Sequence, residues 1–146
     1  MLIVQKFGGS SVANAERVFN VANRIAETYR DGNSVVVTVS AQGDTTDDLI
    51  EKAKEINAKP SKREMDMLLA TGEQISIALL AMALEKLGIP AISLTGWQAG
   101  VQTDSKYGVA KIKRIHTERI LSELDAKKVV IVAGFQGINK YDDITT

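Results

Sequence analysis

Near the start of the chain, Gln5-Lys6-Phe7-Gly8-Gly9-Ser10-Ser11 places a cation, two adjacent glycines and two hydroxyls within seven residues. A short apolar run, Leu2-Ile3-Val4, precedes it, and helical periodicity begins after it around Val12 to Asn14. A strand, a lysine, a glycine-serine turn and a helix follow in that order. Backbone N–H groups left free at a helix start, glycines without Cβ and an ammonium together suit a phosphate. The lysine precedes the glycines, unlike a Walker A loop, and the three-glycine dinucleotide fingerprint is absent. Two readings stand: plain turn chemistry, in which glycine is the default residue, and an anion site built on Lys6, Gly8, Gly9 and Ser10.

Three further polar stretches interrupt apolar sequence. Ser40-Ala41-Gln42-Gly43-Asp44-Thr45-Thr46-Asp47-Asp48 follows Val35-Val36-Val37-Thr38-Val39. Helix capping by Thr45 and Asp48 explains part of it. Hydroxyls at the carboxyl end of a strand also sit where open α/β sheets bind ligands. Thr71-Gly72-Glu73-Gln74 divides the most apolar region, Met65 to Leu87. A break between two helices accounts for Thr71 and Gln74 but leaves Glu73 among Leu68, Leu69, Ile75 and Ile77. Buried acids are rare without a partner, so Glu73 is a candidate for holding a cationic group. Gly134-Phe135-Gln136-Gly137 closes the last apolar run, Val129 to Ala133.

The elements that must position these residues read as alternating strands and helices. Ala15, Val18, Phe19, Ala22, Ile25, Ala26 and Tyr29 make one apolar helix stripe, ended by Gly32. Ser61 with Glu64 caps another helix start, and Ala91-Ile92-Ser93-Leu94 is a third strand. Val109 to Ile115 is read as a short strand with solvated lysines, and Thr117 to Leu124 as the last helix. His116, the only histidine, has no partner at ligand spacing and is read as structural or solvent-exposed. Continuous β-branched runs belong to central parallel strands covered on both sides. The expected fold is therefore α/β: a mostly parallel central sheet with helices on both faces, an αβα sandwich, with the polar loops gathered at one edge.

The length of 146 residues suits one domain. Eighteen basic residues balance eighteen acidic ones, so no global field recruits nucleic acid or an anionic membrane. The chain has no cysteine, which rules out disulfides and thiolate zinc sites and fits a reducing compartment. Ile75 to Leu84 is shorter than the ~20 residues of a membrane span. A soluble, cytoplasmic protein is expected.

With these stretches in view, the sequence resembles the N-terminal part of the aspartokinases, in the amino-acid kinase family. The resemblance rests on Lys6-Phe7-Gly8-Gly9-Ser10-Ser11, the Ser40 to Leu49 stretch, Arg63-Glu64-Met65-Asp66-Met67-Leu68-Leu69, Gly72-Glu73-Gln74, Thr95-Gly96-Trp97-Gln98-Ala99-Gly100 and Val132-Ala133-Gly134-Phe135-Gln136-Gly137. It runs along essentially the whole chain in one register. It implies an amino-acid kinase fold and transfer of the γ-phosphoryl of ATP, with Mg2+, to the β-carboxylate of L-aspartate. That reaction is the first step of lysine, threonine and methionine biosynthesis. By position, Lys6 bridges the phosphates, Gly8, Gly9 and Ser10 line the phosphate loop, and Ser40 lies at the reacting centre. Thr46 and Glu73 hold aspartate, Glu73 by its α-amino group. An ionised carboxylate nucleophile needs no general base, so the absence of a catalytic triad is consistent.

Family members continue with an arginine-glycine-glycine-serine segment, a base pocket and regulatory domains. The chain is accordingly read as residues 1–146 of a kinase domain, with no useful turnover alone and a homo- or hetero-oligomeric parent. Two alternatives remain: a kinase for another small carboxylate or carbamate, and a non-catalytic binding or dimerisation module using the Met65 to Leu87 helices. An ordinary core is the simpler account of those methionines and leucines.

Overall fold

The computed structural model describes residues 1–146. Its centre is a four-stranded parallel sheet of β1 (Leu2–Phe7), β2 (Ser34–Val39), β3 (Ala91–Leu94) and β6 (Val129–Ala133), in the order β1-β2-β6-β3. A parallel pair needs a crossover, and α1 (Ala15–Arg30) supplies the one between β1 and β2. In register, Lys6 stands opposite Thr38 and Val37 opposite Ile131. All five residues of β6 are buried, as a central strand requires.

On one face, Val35, Val37, Val39, Val129 and Ile131 pack against Val18, Ala22 and Ile25 of α1 and Ile77, Leu80 and Leu84 of α3 (Lys62–Lys86). Each buried Val, Ile or Leu among them contributes about 1.5–3 kcal/mol. On the other face, α4 (Glu118–Asp125) covers β6, with Leu124 and Ile120 against Val130, Val132 and Leu94. Leu2 and Val4 of β1 stay exposed on that side. Helices thus lie on both faces, but the second is covered over only part of its width.

A smaller mixed sheet sits at the carboxyl ends of the strands. It comprises β4 (Val101–Thr103), β5 (Ile112–Ile115), β7 (Gly137–Ile138) and β8 (Ile144–Thr145), in the order β5-β4-β7-β8. The expected strand at Val109 to Ile115 is therefore shorter, and its lysines are exposed as anticipated.

Three local expectations change. The Thr71–Gln74 stretch does not divide two helices: α3 is continuous over 25 residues. Gly72 is there for proximity, because a Cβ on it would lie 2.9 Å from the Cβ of Ala41. By length and composition α3 matches a membrane span, but Leu69, Ile77, Leu80 and Leu84 bury against the domain. At α2 (Thr45–Ile56) the cap is Asp44 rather than Thr45, with no side-chain capping bond. The Thr45 hydroxyl donates instead to the carbonyl of Gln42. Finally, the glycine-serine turn is a short 3-10 helix over Gly9–Val12, and α1 starts later, capped by Asn14 accepting from Arg17 N at 3.0 Å. Ser61 caps α3 as expected, accepting from Glu64 N.

Candidate active site

The polar stretches meet where β1, β2 and β6 end. Ser40 N donates to Phe7 O at 3.2 Å, Gly43 N to Gly9 O at 2.9 Å and Gly134 N to Val39 O at 3.0 Å. The turn after β1 therefore leans on the loop after β2, which leans on the loop after β6. A Cβ on Gly9 would sit 2.6 Å from Ala41 O, so only glycine permits this approach. Gly8 is extended, with φ −79° and ψ 173°, and a Cβ there would meet nothing within 4 Å. It leaves open space in front of the turn.

Lys6 projects from the exposed side of β1, alternating with the half-buried Gln5 and Phe7. Ser10 is exposed, and its carbonyl accepts from Arg17 Nη1 at 2.6 Å, which braces the turn from α1. Ser40 and Thr46 are half-buried in the neighbouring loop and first turn of α2. A cation, a side-chain-free cradle and hydroxyls are thus assembled at one sheet edge. That arrangement can receive an anion from the solvent side.

Glu73 enters from α3, beneath the same loop. It is 3% exposed, and its Oε2 has no hydrogen-bond partner within the protein. Burial pushes its pKa above the usual carboxylate range, although backbone N–H groups of Glu73 itself and of Ala41 favour the ionised form. A buried acid with one bare oxygen is suited to a cationic hydrogen-bond donor.

Sequence reading assigned no role to several residues that hold this edge together. Asp66, 1% exposed, accepts from Gly108 N, Thr146 N and Thr146 Oγ1 at 2.9, 3.0 and 2.7 Å. Gln136 joins Gly96 N to Ala70 O. Asp66, Ala70 and Glu73 lie on successive turns of α3, so one helix face ties the smaller sheet to the edge of the larger. Phe135 has φ 60° and is 57% exposed, an unusual backbone for an aromatic residue and one that recurs at ligand sites. Only the quoted Asp66 and Phe135 motifs hinted at these roles, since hydrogen bonds across 40 or more positions leave no local pattern. His116 is half-buried, and its backbone N–H donates to Gly100 O at 2.8 Å.

A cleft of about 510 Å3 opens beside this edge, between the partly covered sheet face and the smaller sheet. Thr38, Val132, Gly134 and Phe135 line it, but neither Lys6 nor Glu73 does. The loop junction, with its cation and bare carboxylate oxygen, is the better candidate for chemistry than this largely apolar cleft.

Comparison with known proteins agrees with the fold. The chain is 59% identical over 145 residues to an aspartokinase of Bacillus sp. (strain MGA3), covering 99% of this chain and 35% of that protein. An aspartate kinase structure from Synechocystis superposes with a TM-score of 0.83 at 48% identity, covering 100% of this chain and 23% of that one. Aspartokinase III of E. coli, solved with aspartate and ADP, superposes equally well (TM-score 0.83) at 20% identity, a likeness of fold, and its chain is 43% covered. The chain thus spans about 35% of the length of the curated relative it matches. The model of the amino acid kinase family matches residues 1–145, and the chain belongs to that family.

Proposed function

We propose that this chain carries the amino-acid and phosphate-loop half of an aspartate kinase site. The reaction is transfer of the γ-phosphoryl of ATP to the β-carboxylate of L-aspartate, giving 4-phospho-L-aspartate. The observation that carries this reading is the bare, buried Oε2 of Glu73 beside the loop that bears Ser40 and Thr46. A substrate with an α-ammonium supplies the missing partner, and a simple carboxylate or carbamate does not. The E. coli relative bound to aspartate and ADP supports the same pairing of ligands.

In this reading Glu73 and Thr46 hold aspartate, with its β-carboxylate towards Ser40. Gly8, Gly9 and Ser10 present backbone to the phosphates, and Lys6 offsets charge on the transferring group. Such catalysis is positioning plus electrostatic stabilisation, so a fixed cradle and one ammonium are the appropriate tools. Magnesium is assigned to the nucleotide, as in other phosphoryl transfers.

Calorimetric titration of L-aspartate into the chain, beside Glu73→Ala, tests the proposal. Binding that disappears in the variant is the expected result. Undiminished binding in the variant would sink the reading, and no binding by the folded parent chain would mean that the segment with which family members continue is needed to complete the pocket.

A second reading, self-association, is favoured by one surface. Phe19, Ile75, Leu79 and Met82 are exposed together on α1 and α3, around a shallow apolar depression. It is compatible with the first, and sedimentation separates the two.

A further inference from the structure

Two buried oxygens on α3 lack any hydrogen-bond partner in the protein, and their residues lie one helical turn apart. They are Glu73 Oε2 and Ser76 Oγ. Glu73 is 3% exposed and Ser76 1%. Residues at i and i+3 share a helix face, with Cβ atoms about 5–6 Å apart.

A hydroxyl inside a helix ordinarily settles on a carbonyl one turn back. Thr28 does so to Arg24 O, and Thr71 to Leu68 O. Ser76 makes no such bond, although Gly72 O stands in the corresponding position. An unmet buried hydroxyl costs about 1–3 kcal/mol. Alanine would avoid that cost and is the better helix former. The same helix uses alanine at the buried positions Ala70, Ala81 and Ala83. A serine here is a burden on the free fold, which is the usual mark of a residue retained for a ligand.

We propose that Ser76 is a second ligand-binding residue, its Oγ and Glu73 Oε2 together receiving the α-ammonium of the amino-acid substrate. An ammonium brings three N–H donors. One satisfies the carboxylate with its charge, and a second satisfies the hydroxyl. Glu73 selects for positive charge, and Ser76 adds a direction. The site takes α-amino acids with a free primary ammonium, and rejects ligands acylated at that nitrogen. This inference rests on the assignment of Glu73 to the substrate ammonium and extends it to one further residue.

The test is titration of L-aspartate into four full-length chains: the parent, Glu73→Gln, Ser76→Ala and Ser76→Cys. Thermal unfolding without ligand is recorded for each. Loss of a hydrogen bond to a charged group predicts affinity about tenfold weaker or more in both Ser76 variants. The ligand-free Tm of Ser76→Ala is expected to be equal to or above that of the parent. Cysteine keeps the volume but offers a weak acceptor, so it reads out hydrogen bonding rather than packing. Affinity within twofold of the parent in either variant overturns the proposal. So does weakened binding that comes with a lowered ligand-free Tm, or failure of both variants to fold, since each marks a structural serine. Binding lost in Glu73→Gln but intact in the Ser76 variants overturns this inference alone. No aspartate binding by the folded parent overturns the Glu73 assignment itself.

Discussion

Glu73 gives a pH dependence whose sign is fixed by its burial. Its folded pKa lies above the unfolded value, near 4.5, because burial disfavours the charged form. The folded state therefore holds its proton more tightly. The resulting stability is complete below pH ~4.5 and is lost as pH rises through the raised pKa. Glu73→Gln is expected to flatten that part of the stability curve and to unfold later than the parent at neutral pH. Urea midpoints at pH 4 and pH 7 check this, and an equal shift at both would contradict it. Under the proposed assignment aspartate binding runs the other way, because the ammonium requires the ionised carboxylate. At this scale Lys6, Gly9 and Glu73 were legible, each being a residue type out of keeping with its surroundings. Ser76 was not. A serine in an apolar helix draws no notice until its hydroxyl is found without a partner.

α3 shows how an element carries information that its residues conceal. Gly72 reads as a helix break, yet its lack of Cβ is what lets the loop after β2 lie against an unbroken helix. Local propensity gave way to tertiary proximity, at a cost of ~1 kcal/mol relative to alanine. The four parallel strands were recognisable from their apolar runs. The strands of the smaller sheet are two to four residues long. Asp66 and Gln136 tie the segments beside these strands to one another and to α3, through bonds that no window of sequence displays. Asp66→Ala leaves the N–H groups of Gly108 and Thr146 and a hydroxyl without their acceptor. The expected loss is about 3–5 kcal/mol, in keeping with breaking one partner of a buried polar cluster. Chemical denaturation measures it. Amide exchange should rise first at Gly108 and Thr146, and a uniform rise along the chain would argue against a local tie.

Across the whole molecule, the uneven covering of the surface is the main departure from a symmetrical sandwich. Leu2 and Val4 on one side, and Ile75, Leu79 and Met82 on the other, leave apolar area in contact with solvent. Leu2, Ile3 and Val4 are apolar alike, so their types do not distinguish the covered face of β1 from the open one. For α3, sedimentation velocity is expected to show dimers of the parent at micromolar concentration and monomers of Met82→Lys. A parent that sediments as a monomer removes the second reading of that helix.

The strand order β1-β2-β6-β3 also has a consequence for how the chain comes into being. The fully buried strand Val129–Ala133 lies between two strands that leave the ribosome long before it. Until it arrives, β2 and β3 each present an unpaired edge, and the α1 and α3 layer rests on a divided sheet. Closure is thus an insertion rather than an extension, joining Val37 to a partner 94 residues later. Such long-range pairing is slow and exposes strand edges while it waits. During synthesis, the period of greatest vulnerability to aggregation ends only when this one apolar segment slips into the middle.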